Sequence, residues 1–208
     1  MCTNIHSGKN RIYNHLYPIV AESKAPNALN DVIMEYGVPN YIHSDNAQVK
    51  TGVEWTHNHH QYFIKGSMMK PYHPEQNQAE RMIDLLKNRT NYIMDKSKAP
   101  EKCWNYVIKA AAEMINHTAT RSNNWEFPQA ITMGDMPDIS LYLNFEFYEK
   151  IVYLDCITSF LEMKEKPDGV LGRAKSVGDA MTYYVLTESS TVIQHSVLCS
   201  VEYSEMEN

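Results

Sequence analysis

The sequence predicts a mixed α/β fold followed by a small antiparallel β region. Up to about residue 120, short β-branched and aromatic runs alternate with apolar repeats of helical spacing, an order that suits a mixed sheet covered by helices. Beyond that point the apolar runs shorten and turn residues separate them, which is typical of a small antiparallel sheet or barrel. An apolar content of 43% in 208 residues is sufficient for a packed interior.

The first predicted helix covers residues 23–36. Ser23 is expected to cap it, Pro26 is tolerated in its first turn, and Gly37 and Pro39 are expected to end it. A strand from Tyr41 then delivers Asp45 at its end, and residues 53–62 and 63–69 are predicted as a short helix and a further strand.

A long amphipathic helix is predicted to open at Pro74 and Asn77, with Glu80 in its first turn. A break at 97–100 separates it from another helix. The inward faces of these two helices are predicted from helical spacing to consist of Ala79, Met82, Ile83, Leu86, Thr90 and Ile93, and of Trp104, Val107, Ile108, Ala111 and Ile115.

The later strands are predicted at residues 151–154, 180–186 and 191–198. We therefore predict three segments. A core occupies residues 1–120, a connecting segment residues 121–148, and a small β region residues 149–208.

Asp45 and Glu80 form the most informative pair of acids. A strand end and the first turn of a helix can converge, and two converging carboxylates can share hard cations beside a substrate phosphate, because such cations prefer oxygen ligands. The alternative is a turn aspartate and a first-turn glutamate that meets the helix dipole favourably.

Charge is unevenly distributed along the chain. The net charge of −6 fits DNA binding poorly, because Lys and Arg normally neutralise phosphates in such complexes. Residues 65–109 nevertheless carry nine basic against five acidic side chains, a local charge of +4 around Glu80. This excess favours a nucleic-acid partner, although a solvated helix face would also explain it.

Other residue patterns carry weaker signals. The four cysteines are far apart, which favours a reducing compartment, and no secretion signal or membrane-length run is visible, so we expect an intracellular protein of the nucleus or cytoplasm with no membrane partner. His57, His59 and His60 are expected to lie on a solvated helix face, because they lack companion ligands for zinc. Trp104 is expected in the core, although it could instead stack on bases, as could Trp55 and Trp125.

Several motifs in a fixed order resemble the integrase catalytic core of copia-type retrotransposons, and the resemblance spans nearly the whole chain. It is carried by Gly37-Val-Pro39, His43-Ser-Asp45-Asn46-Ala47, Pro71-Tyr-His-Pro-Glu-Gln-Asn77-Gln-Ala-Glu80-Arg81, Ala99-Pro100 with Trp104, Asn116-His-Thr118-Ala119, and Gly134-Asp-Met-Pro137-Asp-Ile-Ser140. The resemblance implies a ribonuclease H-like mixed sheet with flanking helices.

The resemblance also implies three catalytic acids, of which Asp45 and Glu80 match the second and third. No acidic residue precedes Glu22, so the first-strand acid has no counterpart here. Residues 2–5 and 11–20 resemble the second and third strands of the family. We therefore expect a core truncated at its N-terminus, with its first strand missing.

The function implied is integration of DNA by metal-dependent phosphoryl transfer, with Asp45 and Glu80 holding Mg²⁺ or Mn²⁺. Retroelement ends and target DNA are the expected partners, homo-oligomers are possible, and residues expected near DNA are Asn77, Arg81, Lys87 and Arg89. Asn77 could instead be a helix cap, and the three basic residues are too scattered to form one stripe. With one carboxylate missing, we expect the chain to be inactive. The alternative is a non-catalytic remnant that binds nucleic acid or protein.

Overall fold

The computed structural model describes residues 2–6, 12–17, 19, 21–44, 52–68, 78–134, 136, 138–154, 165–174, 177, 181–196 and 198–200. They form a mixed α/β structure, as predicted. Two compact units are present: the first contains the described residues up to Leu85, and the second those from Leu86 onward. The predicted boundaries at residues 120 and 148 stay predictions.

The described residues of the first unit that precede α3 form two strand pairs and two helices. Its elements are β1 (Cys2–His6), β2 (Ile12–Leu16), α1 (Ala25–Tyr36), β3 (Tyr41–Ser44), α2 (Val53–Gln61) and β4 (Lys65–Met68). β1 and β2 are antiparallel, with Asn4 opposite Asn14, whereas β3 and β4 are parallel, with His43 opposite Ser67. Both pairing types of a mixed sheet are therefore present, in two separate pairs among the described strands.

Helix α1 contacts the chain after β2 on one side and β3 on the other. Ala28 and Val32 pack against Tyr17, and Leu29 packs with Trp55 of α2 and Ile42 of β3. The predicted cap at Ser23 is wrong. Ser23 belongs to a 3-10 turn at Glu22–Lys24, and α1 begins after it without a side-chain cap. Gly37 ends α1 as predicted, with a φ of 85° that favours glycine.

Helix α2 ends in a Schellman motif that has phenylalanine where glycine is usual. The Phe63 N–H donates to the His60 carbonyl at 3.3 Å and the Ile64 N–H to the His59 carbonyl at 2.9 Å. Phe63 has a φ of 54°, and 90% of its surface is exposed. The ring therefore gains little from burial, while its backbone occupies the left-handed region that favours glycine.

We expect Phe63→Gly to stabilise the first unit by about 0.5–1 kcal/mol, because relief of the left-handed strain outweighs the added freedom of the unfolded chain. Chemical denaturation of the full chain measures this change. Phe63→Ala is the matched control, since it removes the ring but keeps the strained Cβ. A gain as large for alanine as for glycine would show that the exposed ring, rather than the backbone, is the cause.

The described residues of the second unit form four helices and a five-stranded antiparallel sheet. The first of these helices, α3, begins in the first unit. The elements are α3 (Gln78–Ser97), α4 (Trp104–Asn116), α5 (Pro128–Met133), α6 (Ser140–Leu143), β5 (Lys150–Leu154), β6 (Glu165–Arg173), β7 (Tyr183–Leu186), β8 (Val192–His195) and β9 (Leu198–Ser200). The sheet order is β8-β7-β6-β5-β9. The small antiparallel β region is thus confirmed.

This sheet must curl strongly, because its two edge strands are joined by only two residues. From His195 to Leu198 the chain spans at most about 11 Å, whereas five strands laid flat would place the edges about 19 Å apart. The rings of Tyr153 on β5 and His195 on β8 lie 5.2 Å apart although two strands separate them in the sheet order. The core inside the curl is formed by Ile151, Tyr153, Val170, Tyr183 and Val185, flanked by Phe145, Ile193 and Leu198.

Trp104 is not in the core, contrary to the prediction. Val107 and Ala111 of the same predicted stripe are buried, but 59% of Trp104 is exposed. Helical side chains tilt toward the N-terminus of the helix, and Trp104 is the first residue of α4, so its indole extends beyond the helix body.

Candidate functional site

The site predicted from sequence has one described metal-ligand candidate, Glu80. It lies in the first turn of α3, and its side chain is exposed. Acidic side chains are favoured at this end of a helix, because the helix dipole is positive there. Asp45 and Asn77 lie outside the described residues, so the distance between the two carboxylates stays a prediction. β3 ends at Ser44, so Asp45 is the next residue of the chain.

The parallel pair β3–β4 is held from one side by α2. Trp55 of α2 is buried, and Gly66 of β4 lies against the His59 ring: a Cβ placed on Gly66 would meet His59 Cε1 at 2.9 Å. The prediction that the histidines share a solvated face is therefore wrong for His59, whereas His57 and His60 are exposed. Burial lowers the pKa of His59, with a smaller contribution from His60.

The three basic residues predicted near DNA all lie on α3 with exposed side chains. Helical geometry sorts them by direction. Lys87 follows Glu80 by seven residues, so the two lie about 20° apart around the helix and about 10 Å apart along it. Arg81 is about 120° from Lys87, so the predicted absence of a single basic stripe agrees with the helix. Arg89 lies about 80° from Arg81.

Sequence reasoning missed a polar cluster between β2 and α1. His15 and Tyr17 on one side meet Glu35 and Tyr36 on the other through hydrogen bonds and ring contacts. Alternation along β2 and the last turn of α1 could have indicated that these residues face each other. The prediction there concentrated on the apolar repeat of α1.

No cluster of three or more His, Cys, Asp or Glu side chains suited to a metal ion occurs within the part of the chain that the structure describes. The donor chemistry of Asp45 and Glu80, two carboxylates, is that of a site for hard cations, and one of the two is described. None of the described helices is long and apolar enough to cross a membrane.

No protein-family model matches the chain, and no curated protein matches it significantly. Among solved structures it is similar to a chain of the simian T-cell lymphotropic virus intasome in complex with PP2A regulatory subunit B56 gamma. The identity is 16%, the TM-score is 0.48, and the match covers 92% of this chain and 68% of that one.

Two structures of the HTLV-2 integrase catalytic core domain in complex with magnesium are also similar, each at 18% identity. The trimeric form gives a TM-score of 0.46 over 64% of this chain and 92% of that one, and the dimeric form 0.44 over 60% and 77%. The class of these neighbours is therefore the retroviral integrases. With identities below 20% and TM-scores below 0.5, the likeness does not by itself assign a function to this chain.

Proposed function

We propose that this chain is an integrase-like core of a copia-type retrotransposon that binds DNA and holds Mg²⁺ or Mn²⁺ between Asp45 and Glu80. The observation that carries the proposal is the exposed position of Glu80 in the first turn of α3, following a parallel strand pair whose β3 leads directly to Asp45. The ordered motifs of the sequence supply the family. A bound cation would stabilise charge on the oxygens of a phosphodiester.

The side chains of α3 have distinct roles in this proposal. Glu80 supplies a cation ligand, and Lys87, on the same helical face, neutralises a phosphate about two turns further along. Arg81 and Arg89 point in other directions and contact separate phosphates. The proposal also includes assembly of the chain into homo-oligomers.

We further propose that the chain as given does not transfer strands. In the proposed family a third carboxylate on the first strand completes the cation site, and no acid precedes Glu22 in this sequence. Two carboxylates alone would hold the cations poorly, so the attacking and leaving oxygens would not be stabilised together.

An end-joining assay on labelled duplex DNA tests both statements. We expect no joining by this chain, joining by a version extended with the first strand of a related element, and loss of that joining in Asp45→Asn. Glu101→Gln, an exposed acid of the 3-10 turn before α4, is the control that should retain joining. Joining by the unextended chain that disappears in Asp45→Asn would overturn the inactive assignment.

The second candidate function is a non-catalytic binding protein, favoured by exposed aromatic side chains in the second unit. Trp125 is 70% exposed on a backbone with a φ of 64°, and Tyr92 is 68% exposed on α3. Fluorescence anisotropy with the same DNA separates the candidates. Binding by the extended chain without joining, unaffected by Asp45→Asn and lost in Trp125→Ala, would favour the second.

A further inference from the structure

His15 lies between an acid and two phenols at the contact of β2 with α1. Its Nδ1 is 2.5 Å from the Tyr36 hydroxyl, and its Nε2 is 3.5 Å from Glu35 Oε2. The Tyr17 hydroxyl donates to the same Oε2 at 2.9 Å, and the Tyr17 ring stacks on the His15 ring at 4.3 Å. One imidazole therefore connects two residues of α1 to the strand.

The hydroxyl groups of Tyr17 and Tyr36 stay protonated, and this limits the hydrogen bonds that the His15 ring can form. Burial raises the pKa of Tyr17 and of Tyr36. The hydrogen bond to Glu35 raises the pKa of Tyr17 further, whereas the pKa of Tyr36 is raised further by its hydrogen bond with Tyr13 and then by Glu35. Because the Glu35 carboxylate can only accept, we assign the hydrogen of the neutral ring to Nε2, which leaves Nδ1 as the acceptor that faces the Tyr36 hydroxyl. After protonation Nδ1 also becomes a donor, and the Tyr36 hydroxyl rotates to accept from it.

The Glu35 carboxylate determines whether the protonated or the neutral His15 ring binds α1 more strongly. His15 is 15% exposed, so desolvation opposes its charge, but Glu35 at 3.5 Å turns the Nε2 contact into an ion pair when the ring is protonated. Among the described residues, the titratable groups near the cluster include Tyr13 of β2, whose ring is 5.9 Å from that of Tyr36, and Asp31 of α1, which acts on Tyr17. Opposite His15 on β1 stands Thr3, which does not titrate.

We propose that His15 is a proton-operated latch that holds β2 to α1 more tightly at mildly acidic pH than at alkaline pH. Helix α1 also packs against β3, the strand that leads to Asp45, because Leu29 and Ile33 lie in one cluster with Ile42. The latch itself does not depend on the proposed chemistry and can be tested without DNA or metal.

The test is an NMR titration of the His15 ring in the full chain, with the signal assigned by its loss in His15→Gln. We expect the ring to take up its proton at lower pH in Glu35→Gln than in the wild type. Glu54→Gln, an exposed acid in the first turn of α2, is the control that should leave the titration unchanged. Identical titrations of the wild type and Glu35→Gln would overturn the proposal.

Hydrogen exchange of the α1 amides distinguishes a latch from a merely structural histidine. We expect the wild type to be better protected than Glu35→Gln at both pH values, because the Tyr17 hydrogen bond to Glu35 is present at both. The difference should be about two- to fivefold larger at pH 5.5 than at pH 8, the range for a partly exposed ion pair. Because acid also protonates His59, whose pKa is lowered by burial, the variants are compared at the same pH. If protection differed between the wild type and Glu35→Gln by the same factor at both pH values, Glu35 would have only a structural role, and the proposed latch would be wrong.

Discussion

Replacing Glu80 by Gln is expected to weaken Mn²⁺ binding by at least about tenfold, a loss of about 1.4 kcal/mol. Under the proposed function Glu80 is one of two carboxylates that hold the cation, and the neutral amide provides no charge to a hard cation. Asp45→Asn should have a similar effect. The measurement is a Mn²⁺ titration of the full chain followed by water proton relaxation or calorimetry.

The control for this prediction is Asp84→Asn, one turn along the same helix. It changes the total charge by the same amount as Glu80→Gln, so it separates ligation from long-range attraction. If Mn²⁺ affinity fell equally in both variants, the metal would be responding to the charge of α3, and the proposed cation site would be wrong. If it fell in neither, Glu80 would not be a ligand.

The second large effect is expected from Gly169→Ala, which should destabilise the second unit by about 2 kcal/mol. A Cβ at this position would meet Tyr148 Cδ2 and Cε2 at 2.7 Å each. The Tyr148 ring cannot move away easily, because it packs against the buried cluster of Cys103, Leu171 and Leu186, and the Tyr148 N–H donates to the Val170 carbonyl at 2.6 Å. Thermal unfolding of the full chain should show a midpoint lower by about 6 °C.

A double-mutant cycle isolates this steric cause. In a Tyr148→Gly background the ring is gone and the left-handed backbone is relieved, so we expect Gly169→Ala to cost less than about 0.5 kcal/mol there. An equal cost in both backgrounds would place the damage in the strand itself rather than in the contact with Tyr148.

The elements with strong periodicity were predictable. The helix over residues 23–36 has α1 as its counterpart, the short helix before β4 matches α2, and the buried face of α3 includes Leu86 and Thr90 as its spacing indicated. These segments agree with the sequence because one face of each is buried against a neighbour, and burial selects the apolar repeat.

β6 was not predicted, for a physical reason. Pro167 and two glycines interrupt the usual strand signal. In the structure Pro167 lies opposite Val152 of β5, in a part of β6 that has no register with β7, so its missing N–H costs no ladder bond there. A β-bulge between Val170 and Gly172 shifts the pairing of β6 with β7, and pairing continues at Gly172, which has a φ of 115°.

For the candidate site, the sequence predicted which residues take part and in which order they occur, but not how they are arranged in space. The position of Glu80 in a first turn follows from local sequence and is confirmed, whereas the approach of Asp45 depends on how a strand end and a helix start meet, which periodicity does not encode. The contacts of His59 and His15 were missed because each depends on a distant residue, Gly66 in one case and Glu35 in the other.

The curled sheet of the second unit also fixes when that unit can be completed during synthesis. β9 pairs with β5, which leaves the ribosome more than 40 residues earlier. One edge of β5 therefore stays unpaired until Leu198 has emerged. Ile151 and Tyr153 lie on this waiting strand. A ribosome stalled between β8 and β9 would therefore present an open apolar edge, the kind of surface that chaperones retain and that aggregates when they do not.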